Sequence, residues 1–286
     1  MPVLYVVATP IGNLEDISLR ALRILREVKL IAAEDTRKTR RLLNAYDIKT
    51  PMTSYYEHNK LTKLDYILSQ LEDGDIALVS DAGTPGMSDP GYELISAASQ
   101  RGISVVPLPG PSAVVTALVV SGLPTDRFLY IGFLPHKASA RKHLLESIAG
   151  EHSTIVALES PHRLKAALND LLLILGDRKM AVCRELTKIH EEVFRGTISQ
   201  SIEHFNEQRG EFTLVIEGNQ IKGKPELTEE VEKQLHYMYL SGITAREAIA
   251  RVADRTGLSR KELYRAWLRL DKAWDIEKDS CQKRSE

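Results

Sequence analysis

Four segments hold the residues able to do chemistry, and each follows a run that reads as a strand. The richest is Asp81-Ala-Gly-Thr-Pro-Gly-Met-Ser-Asp-Pro-Gly91. Gly83, Gly86 and Gly91 allow positive φ or close backbone approach to a ligand, and Pro85 and Pro90 stiffen what lies between. Asp81 suits a ligand amine or hydroxyl; a structural turn with an aspartate cap is the plainer reading of the same residues. Glu34-Asp35-Thr36-Arg37 offers two adjacent carboxylates, a pair suited to acid–base work. The same pair equally suits a helix N-cap with a salt bridge to Arg37 or Arg40. Glu159-Ser-Pro-His-Arg163 stands at the corresponding place further along, where His162 reads as a helix-start histidine. Pro109-Gly-Pro-Ser-Ala113 opens an apolar helix whose free amides suit an anion or carboxylate. Ordinary punctuation, with Pro111 at the first helical position, is the alternative there.

Missing signals narrow the chemistry. No GxxxxGK[ST] loop occurs, which disfavours hydrolysis of ATP or GTP. No GxGxxG follows the first strand, where Thr9-Pro-Ile-Gly-Asn-Leu14 has a single glycine. That disfavours an NAD enzyme and the common methyltransferase sheet with its own glycine loop. The eight histidines show neither a Ser–His–Asp order nor metal-ligand spacing, so no metal is expected. The two cysteines, Cys183 and Cys281, lie outside any CxxC spacing, which rules out a zinc knuckle or a disulfide framework.

The 286 residues are 43% apolar and 27% charged, with a formal net charge of −1. A core of normal size is possible, and the chain is neither a disordered acidic tail nor a uniformly basic nucleic-acid coat. No apolar run reaches the roughly 18 residues of a membrane span. The first residues read as a strand rather than a signal peptide, so a cytoplasmic location is expected.

The elements that must position these residues alternate regularly. Val3–Ala8, Leu30–Ala33, Asp75–Ser80 and Ile103–Val106 read as strands. Between and after them come helices over Ser18–Lys29, Leu61–Leu71, Tyr92–Gln100 and Ser112–Ser121. Leu19, Leu22, Leu25 and Val28 form the apolar stripe of the first helix. Such alternation makes right-handed βαβ units and a mainly parallel sheet. Ligands of an open α/β sheet sit beyond the carboxyl ends of its strands. After a connection at Gly122–Asp126 a second series follows. Its strands are Phe128–Leu134, Thr154–Leu158, Met180–Arg184, Val193–Gly196 and Phe212–Glu217, and its helices are Ser139–Ile148 and His162–Leu175. The expected fold class is α/β, with two α/β lobes over residues 1–122 and 123–220. A linker at Asn219–Pro225 then leads to a small helical domain, 226–286.

That domain reads as a helix over about 229–240 and then a helix-turn-helix over about 245–255 and 260–271. Thr244 with Glu247 and Ser259 with Glu262 fit capping boxes, and Gly257 stands where a C-cap is wanted. Leu263, Trp267 and Leu270 would pack inward, and Arg260, Lys261, Tyr264 and Arg265 would project. Residues 246–272 hold eight basic residues against four acidic ones. A solvated helix face is the usual reason for such charge, but the helix-turn-helix pattern favours contact with nucleic acid. Two more basic groups are Arg37, Lys38, Arg40 and Arg41, and His136, Lys137, Arg141, Lys142 and His143.

Ala8-Thr-Pro-Ile-Gly-Asn13, Ser80-Asp-Ala-Gly-Thr-Pro85 and Pro109-Gly-Pro-Ser-Ala113 together resemble the motifs of the tetrapyrrole methylase superfamily. Its members are S-adenosylmethionine-dependent methyltransferases with a cofactor cleft between two α/β lobes. Four further motifs are similar to its small-subunit ribosomal RNA methyltransferase branch. They are Ala33-Glu-Asp-Thr-Arg37, Phe133-Leu-Pro-His-Lys137, Glu159-Ser-Pro-His-Arg163 and Arg184-Glu-Leu-Thr-Lys188. That branch methylates the ribose 2′-oxygen of a decoding-site cytidine in 16S rRNA of the 30S subunit. The resemblance is dense to about residue 220 and looser in the tail.

The resemblance implies that Pro10, Asp81, Ala82, Gly83, Thr84 and Met87 line the cofactor site. Ser112 and Ala113 would touch the cofactor from the helix start, and Glu159, Arg184 and Thr213 would close the site. Glu34, Asp35 and Glu159 are the candidates for the base. Arg37, Arg40, His136, Lys137, Arg141, Arg260, Lys261 and Arg265 are the candidates for holding rRNA. A homodimer is implied as well. S-adenosylmethionine carries no phosphate, which accounts for the missing phosphate loops. Two other readings stay open: a methylase of a tetrapyrrole or other small molecule, which needs no basic tail, and a cofactor-sensing RNA-binding module without catalysis.

Overall fold

The computed structural model describes residues 2–205, 209–220 and 227–269. The expected linker residues 221–225, and Leu270, Asp271, Lys272 and Cys281 of the tail, lie outside the described residues.

The first sheet has strands β1 (Val3–Val7), β2 (Leu30–Ala33), β3 (Met52–Ser54), β4 (Ile76–Val79) and β5 (Ser104–Leu108). All its pairings are parallel, in the order β3-β2-β4-β1-β5. β2 and β4 are apolar and buried at every residue, as a parallel sheet covered on both faces requires. Helices Leu19–Glu27 and Thr36–Ala45 cover one face, with Leu22, Leu25 and Leu43 against Val7, Ile31 and Val79. Helices Lys60–Glu72 and Tyr92–Gln100 cover the other, with Ile67, Leu71 and Leu94 against Leu4 and Leu78.

Two local expectations need correction. Leu19 is 86% exposed, because the buried stripe of its helix runs through Ala21, Leu22, Ile24 and Leu25. Pro111 is not the first helical residue: Ser112 is the N-cap of helix Ala113–Val120, its side chain accepting from the Val115 amide. Helix Thr36–Ala45 and strand β3 have no counterpart in the periodicity reading.

The chain leaves β1 toward β2 and leaves β4 toward β5, on opposite sides. A crevice therefore opens at the carboxyl ends of these two neighbouring strands, where the connections diverge.

The second sheet has strands β6 (Phe128–Phe133), β7 (Thr154–Glu159), β8 (Lys179–Arg184), β9 (Glu192–Thr197) and β10 (Phe212–Ile216). Its order is β6-β7-β10-β8-β9, and only β6–β7 is parallel. One face carries Ile155, Ala157, Val182 and Leu214 against helices Ala138–Ser147, Leu164–Leu175 and Ile198–His204. The other face, through Val156, Ala181, Cys183 and Val215, packs on Ile11 and on Val114, Ala117 and Leu118 of helix Ala113–Val120. That shared apolar layer joins the two lobes into one unit, Met1–Asn219.

The second unit starts at Gln220. Helices Glu229–Leu240, Ala245–Thr256 and 260–269 close around Leu235, Ile249, Val252, Leu263 and Trp267. Thr244 and Ser259 cap two of them at their N-termini, and Gly257 ends the middle one at φ +70°. Among the described residues no helix is long and apolar enough to cross a membrane.

Candidate active site

Three motifs separated in sequence meet at the crevice. The Thr9 amide donates to the Gly83 carbonyl at 2.8 Å, and the Gly83 amide donates back to Thr9 at 2.9 Å. This two-bond bridge staples the loop after β1 to the loop after β4. Gly83 sits at φ +81°, a conformation that favours glycine. A methyl built on Gly83 would lie 3.7 Å from Ile11 Cγ2 and 3.9 Å from the Pro111 carbonyl, so the 109–113 turn closes over the same point. The loops that carry Pro10, Asp81–Thr84, Ser112 and Ala113 thus meet at one point. Met87 stands at the rim, 49% exposed.

The second lobe reaches this crevice at two places. The Asn13 amide donates to Thr187 Oγ1 at 3.0 Å. A methyl on Gly12 would run into Lys188 Cγ and lie 2.7 Å from Thr187 Oγ1, so glycine suits the junction. On the far side Ser88 Oγ and Tyr130 Oη lie 2.7 Å apart.

A network of carboxylates lines the crevice. Asp81 accepts the Asp35 amide at 2.9 Å, and the Asp81 amide donates to Glu34 Oε2 at 3.0 Å. Lys38 Nζ, 2.8 Å from Asp81, is the cation paired to this cluster. Burial pushes the Glu34 carboxyl above its usual value, with the charge of Asp81 adding to the push. Asp89 is pushed furthest, from the usual aspartate value of 3.8 up to about 7. Burial is the main cause and the charge of Glu34 the next, while the Ser80 hydroxyl pulls it partly back. Its charge is felt across the junction at Tyr130. Sequence reading placed Asp89 in the informative loop but gave it no role. Its only sequence signal is an aspartate between turn residues, whereas its character comes from burial next to residues that are distant in the chain.

Several expected site residues do other work. Asp35 is the N-cap of helix Thr36–Ala45, and its carboxylate accepts the Arg37 amide at 2.8 Å and the Arg37 guanidinium at 2.8 and 3.1 Å. These bonds hold it well below the usual range, which makes it a poor base. Glu159 pairs in register with Phe212, on the face that packs against the second lobe's own helices. Its side chain is wholly buried and tied to Arg163 at 2.7 Å and to the Ser160 amide at 2.6 Å. The structure thus places Glu159 on the sheet face away from the junction, as the buried partner of Arg163, with its Oε2 lacking a hydrogen-bond partner among the described residues. Arg184 faces the same side and donates to the Arg209 carbonyl at 2.8 Å. Thr213 does face the junction, in register with Cys183, and is buried. Burial pushes the Cys183 thiol up to about 11, so it is an inert core group.

Arg37, Arg40, His136 and Lys137 are exposed. Arg141 is not: it is 5% exposed and held by Asp170 at 2.6 and 2.8 Å and by the Pro135 carbonyl at 3.2 Å. Arg141 is thus a buried strut rather than an RNA contact. Among the described residues no group of three His, Cys, Asp or Glu is arranged to hold a metal ion.

An acidic crevice tests the fit of the implied cofactor. Among the described residues Lys38 pairs with Asp81 and Arg37 acts on it through its charge, and the cluster of Glu34, Asp81 and Asp89 favours a cation over a phosphate. S-adenosylmethionine carries a sulfonium and an amine and no phosphate, and the residues present fit it.

Residues 3–201 match the family of Tetrapyrrole (Corrin/Porphyrin) Methylases. The chain is 49% identical over 269 residues to the Ribosomal RNA small subunit methyltransferase I of Halalkalibacterium halodurans, covering 91% of this chain and 93% of the relative. It is 47% identical over 276 residues to the protein of the same name from Synechocystis sp., covering 95% and 99%. Among solved structures, diphthine synthase superposes with a TM-score of 0.60 at 14% identity, covering 75% of this chain and 90% of that one. Uroporphyrin-III-C-methyltransferase from Thermus thermophilus superposes at 0.55 and 19%, covering 76% and 94%. These two likenesses are of fold alone.

Proposed function

Because the chain belongs to the tetrapyrrole methylase family and, within it, to the ribosomal RNA small subunit methyltransferase I family, we propose that it is an S-adenosylmethionine-dependent methyltransferase. In this proposal it methylates the ribose 2′-oxygen of a decoding-site cytidine in 16S rRNA. The acidic crevice at the divergence of β1 and β4 carries this reading, because its charge suits a cationic methyl donor. An rRNA substrate puts the reaction in the cytoplasm.

When bound, S-adenosylmethionine supplies a methyl group already activated on sulfur. The chain's share is to hold the donor, position the ribose hydroxyl, keep water out and take up one proton. The loops stapled by Thr9 and Gly83, with Asp81 and the Ser112 turn, would hold the donor. We assign the proton to Asp89, whose carboxyl titrates near neutral pH, where a general base works best. Glu34 is next in line. Arg37, Arg40 and Lys137 are exposed cations suited to rRNA phosphates, and the exposed His136 ring offers a hydrogen bond beside them. Arg260, Lys261 and Arg265 offer the same on the second unit. The fold family also implies a homodimer, which equilibrium sedimentation decides.

Incubation of the purified chain with methyl-labelled S-adenosylmethionine and 30S subunits tests the proposal, with the product mapped by mass spectrometry. The expected result is one ribose-methylated cytidine in 16S rRNA. Label on a tetrapyrrole and none on 30S would overturn the substrate, and no transfer to either would overturn the activity.

A further inference from the structure

In the second unit a groove of about 740 Å³ opens between helix Ala245–Thr256 and helix 260–269. Ala245, Ile249 and Ala250 form part of its lining, and Arg246, Arg260, Lys261 and Tyr264 complete it. The Tyr264 ring is half exposed.

The cations of this groove differ from their neighbours. Arg251 is paired with Glu247 at 2.6 Å, Lys233 with Glu229 at 2.9 Å and Arg269 with Glu232 at 2.7 Å, while Arg255 bonds Gln234. Arg246, Arg260 and Lys261 have no hydrogen-bond or ion-pair partner among the described residues. The carboxylates nearest in sequence are engaged elsewhere: Glu247 with Arg251, and Glu262 with the Ser259 hydroxyl at 2.7 Å. Unpaired cations next to an exposed aromatic ring and an apolar lining match the chemistry of an unpaired nucleotide: a flat base to stack and phosphates on either side. An acidic peptide would match the cations and leave the ring unused. A duplex would keep its bases stacked on one another and out of reach of the ring.

We infer that this groove is a docking site for a single-stranded segment of RNA, with a base stacked on Tyr264 and the flanking phosphates held by Arg246, Arg260 and Lys261. The inference rests on the proposed rRNA substrate and adds to it which form of RNA the second unit takes.

The test uses the full chain and a short fluorescein-labelled single-stranded oligoribonucleotide, its blunt duplex and polyglutamate as a competitor. Binding is read by fluorescence anisotropy without methyl donor or 30S. The groove can therefore fail while methyl transfer stands, and the reverse. Tyr264→Ala should weaken single-strand binding about fivefold to a hundredfold, and Tyr264→Phe should keep it, because the ring stays. Tyr264 is outside the apolar cluster of its unit, so alanine there spares the fold. The pair Arg246→Ala and Arg260→Ala should lower the slope of log affinity against log salt by about 1.4. Arg251→Ala, on a paired arginine, should change neither. Unaltered binding by Tyr264→Ala, duplex bound as tightly as single strand, or displacement by polyglutamate would each overturn the inference.

Discussion

Replacing Asp89 by asparagine should stabilise the protein and disable it, and the stability gain should depend on pH. The Asp89 carboxyl titrates near 3.8 in an open chain and at about 7 in the fold. A group that binds its proton more tightly when folded favours the fold while protonated. Its contribution is complete below pH 3.8 and is lost as pH rises through about 7. The gap between the two values corresponds to about 4 kcal/mol if nothing screens it. Asp89 keeps part of its surface in solvent, and screening there reduces the cost to about 2 kcal/mol. Asparagine mimics the protonated form and carries none of that cost. Urea unfolding followed by circular dichroism should show Asp89→Asn more stable than the parent by about 2 kcal/mol at pH 8, with the difference vanishing near pH 4. In methyl transfer at saturating donor the same variant should lose about a hundredfold or more of kcat. The parent's kcat should rise with pH, reaching half its plateau near 7 and levelling off above about 8, and the variant's should be flat. A variant equally stable at both pH values would show that Asp89 is not held against its charge. A variant that is stabilised as calculated but retains full kcat would remove Asp89 from the chemistry.

Three further outcomes follow from the same geometry. Lys38→Met removes the cation paired with Asp81, so the neutral-pH rise in kcat should move to higher pH; an unmoved profile would mean that the crevice carboxylates do not titrate together. Gly12→Ala places a methyl against Lys188 and Thr187, and should cost about 1–3 kcal/mol in urea unfolding and weaken donor binding by calorimetry. Arg141→Ala leaves the partly buried Asp170 with only Lys142 among the described residues, at 3.8 Å, as its cation, and should cost about 1–3 kcal/mol while RNA affinity at a temperature where the variant is folded stays at the parent's value.

The sheets and the crevice were legible because their signals are local. β-branched runs followed by glycine-rich turns mark strand ends, and strand ends of a parallel sheet are where ligands go. That Pro10, Gly83 and Ser112 share one site came from the family resemblance instead, and the Thr9–Gly83 bridge had no local signal. Helix Thr36–Ala45 escaped because it buries only Thr39, Leu42 and Leu43, too few for a stripe to stand out in so basic a segment. The wrong assignments share another cause. Glu159 and Arg184 end strands just as Asp81 follows one, but a strand's side chains alternate between faces, and a one-residue difference decides between cleft and core. Thr213 and Glu159 sit at neighbouring rungs of β10 and β7 and face opposite sides. Arg141 belongs to a basic run by sequence, and only its burial against Asp170 shows that its charge is already matched.

Burial against a partner also separates what the net charge of −1 conceals. Some charges cancel in pairs, as Arg251 with Glu247 or Arg141 with Asp170, and such pairs say little about ligands. Information lies in the charges left over. At the crevice of the lobed unit the leftover is negative, and burial together with the charges of Glu34 and Asp81 pushes Asp89 up to about 7. In the helical unit the leftover is positive and gathered around Tyr264. A phosphate-bearing cofactor would have to invert the first imbalance and an acidic protein partner would ignore the ring in the second. The proposed cationic methyl donor suits the first imbalance and the proposed unpaired stretch of RNA suits the second, with the residues as they stand.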